Sequence, residues 1–359
     1  MSTFNESYAL FPNADPNSRV ILANVYLTLE RISYKFVDAE FYISIFGVIL
    51  TIFHLTILTR KAMRISSIMS IMISTAICDL ISMMESVGTR DMIMHFVPKE
   101  CSPPISLFTF HLFAVLQALR DDVIRCSTWL SVLMALIRYV VLKIVKKSSR
   151  ISNFQFGFHV FGASLAVSSM LSLVYFFRVN IVKVAEWVPA TSCQEIPDSF
   201  PQQIYGTVAS DLFKAYNQLV LRVFMLINGI TSKILPCILL PILTTLLILE
   251  LRRTRHNRKG SMVSDKKNCD RTTGLVIFMT ITSFIALLPA GIMTSLKAVY
   301  TDVGFIYMGT CIELICYTLL TLNSCLHCFI CFAMSTQYRK TVRNLFKCQE
   351  TQLVKTGSK

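Results

Sequence analysis

Charge is scarce in this chain of 359 residues: only 16% are Asp, Glu, Lys or Arg. That shortage excludes the disordered class, whose chains stay unfolded by being charged and poor in large apolar side chains. Glycine and proline are also few, 12 and 11, which excludes collagen-like and low-complexity chains. No Gly-rich phosphate loop, zinc-protease helix or Cys–His pair outside the apolar stretches is present, so no enzyme motif competes for the reading. The first forty residues lack a basic start followed by an apolar run, so no cleaved secretory signal is expected and the first apolar helix would itself target the chain. What the chain has in quantity is apolar surface. With 53% hydrophobic residues and a mean hydropathy of +0.57, it has the composition of a protein dissolved largely in lipid.

A bilayer-crossing helix needs about 20 mostly apolar residues. Seven stretches qualify, over 41–59, 66–87, 107–142, 154–177, 220–249, 272–296 and 304–333. Arg120, Asp121, Asp122 and Arg125 interrupt the third, which otherwise divides into two short segments and gives eight spans. Loop charge decides between the counts. In the seven-span arrangement the loops on one side and the C-terminal tail carry +17, those on the other side −3, and the charges within the spans cancel, which accounts for the whole net +14. The positive-inside rule then puts the N-terminus outside. An eight-span chain would divide the basic loops between two faces. Because the Lys and Arg hug span ends without any reader motif, nucleic acid is excluded as a partner. The expected organisation is an all-α seven-helix bundle, with an extracellular segment over 1–40, a membrane domain over 41–346 and a cytoplasmic tail over 347–359.

On that map Asn5-Glu6-Ser7 is a glycosylation acceptor on the outer arm. Of the 12 cysteines, only Cys101 and Cys193 face the oxidising side, so any structural disulfide joins them and ties the outer end of the third helix to the second outer loop. Cys325, Cys328 and Cys331 share a helix face with metal-like spacing, but at lipid depth they read as packing residues. Cys348 follows the last basic turn and is either a palmitoylation site or a plain cytosolic thiol.

Charged groups at bilayer depth are costly unless paired or hydrated, so each is a functional hypothesis. Asp79 lies midway along the second span, Arg138 near the inner end of the third and Asn323 deep in the seventh. Ser127 precedes Arg138 by three helical turns, about 16 Å, on the same face. Asp79, Ser127 and Asn323 are therefore expected to form one polar cluster, acting either as a switch or as structural glue. Arg120, Asp121, Asp122 and Arg125, with Glu85 and Glu313, lie toward the outer mouth. They suggest a wet ligand cavity open to the exterior, or else a set of structural ion pairs. Pro236 and Pro289 interrupt the fifth and sixth helices and are expected to kink them, giving helices that can pivot.

Several runs together resemble a known family. They are Phe53-His54-Leu55-Thr56-Ile57-Leu58-Thr59-Arg60-Lys61-Ala62-Met63-Arg64, Ala76-Ile77-Cys78-Asp79, Cys126-Ser127-Thr128-Trp129-Leu130 leading to Met134-Ala135-Leu136-Ile137-Arg138, Ile234-Leu235-Pro236, and Met334-Ser335-Thr336-Gln337-Tyr338-Arg339-Lys340. The chain resembles the nematode serpentine receptors of class W. These are chemoreceptors of the rhodopsin-like G-protein-coupled class, similar to FMRFamide-type peptide receptors. The resemblance spans about 41–346 and implies a multi-pass plasma-membrane receptor of sensory neurons. Arg138 would stand where the family's Asp-Arg-Tyr arginine meets the G protein, Asp79 at the allosteric sodium site, and Asn323 at the head of the Asn-Pro-x-x-Tyr switch. Ile137 stands in place of the acid before Arg138, Ser324 and His327 in place of the switch Pro and Tyr, and His54 in place of the first-helix Asn. Tyr338, Val342, Leu345 and Phe346 give 335–346 the pattern of a short amphipathic membrane-surface helix.

The reading is a receptor in which an extracellular peptide or small molecule biases a two-state bundle whose inner face engages a heterotrimeric G protein. Its rival is a seven-span channel or transporter using the intramembrane carboxylates. That class favours paired structural repeats, and none is visible in the sequence.

Overall fold

The computed structural model describes residues 10–64, 66–94, 103–143, 151–188, 202–257, 263–300, 302–334 and 336–345. Helix α1 spans Pro16–Leu58, α2 Ser67–Met94, α3 Leu107–Lys143 and α4 Phe154–Arg178. Strands β1, Val179–Trp187, and β2, Gln202–Ala209, follow directly from α4. Next come α5, Asp211–Gly229, a π-turn at Ile230–Ile234, α6, Leu235–Asn257, α7, Val263–Leu296, and α8, Val303–Met334. A last helix, α9, runs over 336–345. Helices α5 and α6 with the π-turn between them make the fifth span, so α7 is the sixth and α8 the seventh.

Six of these helices are long and apolar enough to cross a bilayer, and Thr280–Leu296 is a shorter apolar helix that completes the seven. Packing closes them into a ring. α1 lies between α2 and α8, α2 meets α3 and α4, α3 meets α4 and α6, and α7 joins the fifth span to α8. The third span is one continuous helix through Arg120 and Arg125, as the loop charges required.

The first helix begins 25 residues before the expected start at Phe41. Hydropathy marks where lipid begins, but a helix begins where its free N–H groups find a partner. Here Asp15 caps, accepting from the Asn17 N–H at 3.2 Å, and Pro16 takes the first turn, where its missing N–H costs nothing. The outer extension is held to the seventh span by ring contacts. Phe11 is fully buried against Phe305 with centroids 5.3 Å apart, and Tyr26 stacks on Tyr307 at 6.1 Å. Deeper in the same helix, Gly47 lets the second and seventh spans come close. A Cβ there would lie 2.5 Å from Met83 Sδ and 2.6 Å from Cys325 Sγ, so a larger residue would push the spans apart.

The fifth span shows how proline is accommodated. In the π-turn the Leu235 N–H bonds the Ile230 carbonyl five residues back. Continuing that register, Pro236 would bond Thr231 O but has no hydrogen to give. The Trp129 indole of α3 donates to that carbonyl at 3.2 Å instead. Pro241 lies inside α6 as well, and Pro289 lies inside α7 as expected.

At the inner end, α9 turns back onto the bundle and buries Tyr338 and Val342 against Ile57, Leu58, Met63, Ile73 and Cys331. Its apolar stripe therefore packs on the first two spans. On the outer side β1 and β2 form an antiparallel hairpin with an irregularity between Lys183 and Ala185. Ser210 joins the hairpin's end to α4, its N–H donating to Arg178 O and its hydroxyl to Phe177 O.

Candidate functional site

The intramembrane charges fall into two layers. In the outer layer Arg120 is 1% exposed and sits between two acids from other spans, Glu40 on α1 and Glu85 on α2. Its guanidinium hydrogen-bonds Glu40, and its Nε lies 3.4 Å from Glu85 Oε2. Thr321 of α8 donates to the same Glu40 oxygen at 2.9 Å. The guanidinium also lies over the Tyr317 ring, 4.8 Å from its centroid, and the Tyr317 hydroxyl donates to Asp121 at 2.8 Å. Four spans therefore meet at one arginine.

Two further sets occupy the same level. Arg125 donates to Ser232 Oγ at 2.8 Å, Ser168 O at 2.9 Å, Ser172 Oγ at 3.2 Å and Asn228 Oδ1 at 3.3 Å, tying the third span to the fourth and fifth. Beside it Asp122 accepts from Ser169 at 2.8 Å on one carboxylate oxygen and has no hydrogen-bond partner on the other among the described residues. Across the bundle Glu313 takes Lys297 at 2.7 Å, Thr294 at 2.6 Å and Lys233 at 3.2 Å, joining the fifth, sixth and seventh spans.

Of the residues expected to line an open outer cavity, only Glu85 and Arg120 thus face each other, and the other four are turned to partners elsewhere in the bundle. Glu85, Arg120, Asp122 and Arg125 are buried, and Asp121 and Glu313 are half-buried. Arg120 is neutralised by Glu40 and Glu85 rather than by the neighbouring aspartates. On a helix, adjacent residues point to different faces, whereas partners on other helices lie directly opposite.

Glu40 and Lys233 were missed as site residues. Lys233 carried a visible signal, a cation inside an apolar span. Glu40 sits one residue before the apolar window, where only the helix extension shows it to be inside.

The inner layer is hollow. A cavity of about 440 Å³ is lined by Asp79, Ser127, Asn323, Arg138, His54 and His327 with apolar side chains between them, among them Met69, Met72, Met83 and Met134. Asp79 is 6% exposed; it accepts from Ser127 Oγ at 2.9 Å and faces His327 Nδ1 at 3.0 Å. Asn323 shares the cavity but turns to the sixth span, accepting from Thr282 at 2.7 Å and donating to Ser283 at 3.2 Å. The expected trio is therefore one bonded pair and a neighbour in the same chamber, with His327 as the seventh-span partner of Asp79. His54 Nδ1 meets the Tyr338 hydroxyl at 2.9 Å, which links the first span to α9. Arg138 touches Met134 Sδ at 3.6 Å and has no carboxylate partner among the described residues. Ile137 before it is buried in an apolar cluster with Val123, Cys126 and Leu130.

A sodium ion at Asp79 would need a cage of oxygens, since hard cations select oxygen ligands. From the seventh span the cavity receives the Ser324 hydroxyl, a Thr321 hydroxyl bonded to Glu40, an Asn323 carbonyl already taken by Thr282, and the His327 ring nitrogen. With one Asp79 oxygen on Ser127 and the other facing that nitrogen, the site as arranged does not fit the ion.

Cys101, Cys193, Asn5 and Cys348 lie outside the described residues. On the exposed hairpin Lys183 donates to Glu186 at 2.5 Å and holds its carboxyl below the usual carboxylate range.

The comparisons with known proteins agree with this architecture. Residues 38–349 match the family model described as serpentine type 7TM GPCR chemoreceptor Srw. The chain is also 24% identical over 361 aligned residues to the G-protein coupled receptor dmsr-1 of Caenorhabditis elegans, across 88% of this chain and 70% of that one.

Proposed function

We propose, from the premise that this chain belongs to the Srw family of serpentine seven-transmembrane G-protein-coupled chemoreceptors, that it signals through Arg138 and the cavity below its ion-paired outer layer. As a member it is a multi-pass plasma-membrane receptor that answers an extracellular ligand and acts on a G protein. The family is one of receptors, so neither an enzyme nor the channel or transporter reading is favoured.

The finer reading is as follows. The ligand, a peptide or an environmental small molecule, acts on the outer end, where the β1–β2 hairpin and the start of α1 stand above the layer of Glu85, Arg120, Asp121, Asp122, Arg125 and Glu313. Binding there shifts the packing of the fifth to seventh spans, which Lys233, Lys297 and Glu313 join. Pro236 and Pro289 lie in the spans that move. At the inner end the shift widens the cavity and frees Arg138 for the G protein. The supporting observation is Arg138 itself, a cation on the cavity wall with a thioether in place of an acid as its neighbour. With no ion pair to break, the receptor is expected to show ligand-independent signalling.

Arg138→Ala should reach the cell surface at the normal level and lose basal signal, measured in the same cells across a panel of G proteins. Normal coupling by this variant would refute the mechanism, and failure to reach the surface would make Arg138 a folding residue.

A further inference from the structure

We infer that His327 takes at Asp79 the place that a sodium ion takes in receptors this chain resembles, so that the tie between the second and seventh spans is made by the chain itself and is indifferent to sodium. Asp79 is buried at mid-span, where a carboxylate needs donors or a cation around it. One of its oxygens is served by Ser127 and the other by the His327 ring nitrogen at 3.0 Å. In the tautomer that carries its proton on Nδ1, the imidazole donates to this carboxylate oxygen.

Both carboxylate oxygens of Asp79 are thus engaged by the chain itself, and among the chamber's other polar groups Ser131 and Thr128 bond backbone carbonyls and Thr321 bonds Glu40. The Asn323 amide is spent on Thr282 and Ser283. The second imidazole on the cavity wall, that of His54, has its Nδ1 at the Tyr338 hydroxyl. Arg138 lies against Met134. His327 is thus the seventh-span group that holds Asp79. It stands at the position where the resemblance expects the switch tyrosine, so one substitution both removes that hydroxyl and supplies a donor for the aspartate.

The inference concerns a contact within the proposed switch, but its test needs neither ligand nor G protein. Its failure is therefore distinct from failure of coupling through Arg138. The purified full-length receptor is melted in sodium chloride and in choline chloride at equal ionic strength, as wild type, Asp79→Ala, His327→Ala and the double variant. The wild type is expected to melt at the same temperature in both salts. Each single variant should melt several degrees lower, and the double variant no lower than the worse single, because both remove one shared contact. His327→Asn, which offers an amide N–H at the same place, should recover most of the loss. A wild-type melting temperature raised by sodium, with the rise abolished in Asp79→Ala, would overturn the inference. So would losses that simply add in the double variant. The salt comparison on the wild type stands even where an alanine variant does not fold.

Discussion

The outer and inner halves of the bundle use polar groups in opposite ways. In the outer half Arg120, Arg125 and Glu313 each reach side chains or carbonyls on two or more other spans. In the inner half a cavity of about 440 Å³ lies between Asp79, Asn323, Arg138 and apolar side chains that include four methionines, and the polar ties across it are hydrogen bonds of Asp79 with Ser127 and His327 and of Asn323 with Thr282 and Ser283. A desolvated charge network resists rearrangement, because parting any member strands a partner in a low-dielectric interior. A cavity lined by flexible Met side chains can be re-formed at small cost. A receptor built this way keeps its outer end in shape and concentrates its freedom at the inner end.

Breaking the outer half should therefore be a folding event. Arg120→Leu leaves Glu40 and Glu85 facing each other without a cation, and loss of one partner of a buried pair costs about 3–5 kcal/mol. The expected result is near-complete loss of surface receptor, read by flow cytometry. A normal surface level would mean that the three groups contribute little to folding. Next in size is the covalent tie expected between Cys101 and Cys193. Cys193→Ala should cost about 2–5 kcal/mol if Cys101 and Cys193 are joined, lowering surface level while Cys269→Ala does not. Equal loss in both variants would remove the disulfide.

The inner half predicts smaller effects on stability. Tyr338→Phe deletes the hydroxyl that meets His54 at 2.9 Å, leaving a buried ring in place. The cost should be about 0.5–1.5 kcal/mol, visible as a modest fall in melting temperature. A drop as large as that of Arg120→Leu would erase the contrast between the halves. Smallest of all is Glu186→Gln on the exposed hairpin. Its pair with Lys183 is solvated, so surface level and melting temperature should match wild type. A measurable loss would show that the hairpin is part of the stabilising outer layer.

Much of the bundle was legible because lipid imposes simple rules. Six of the seven spans end within two residues of the expected boundary on at least one side, since the bilayer's thickness sets the apolar length. The single third helix followed from loop charge. The start of α1 at Pro16 was not legible, because it depends on a cap and on aromatic packing against the seventh span. The same holds for α9. Its apolar stripe was readable, but that Tyr338 is buried under the first span at the His54 ring was not.

The sequence by itself determined that this chain is a seven-helix membrane protein whose loop charge puts the N-terminus outside. It also determined that a handful of charges lie at a depth where each must have a purpose, because span length, loop charge and the cost of buried charge are properties of local stretches. Which charge meets which was decided only in the tertiary structure. Arg120 pairs with Glu40 from eighty positions away instead of its neighbour Asp121, and Asp79 finds His327 rather than Asn323. Adjacent residues on a helix point apart, and the groups that satisfy a buried charge are those that helix packing brings opposite it.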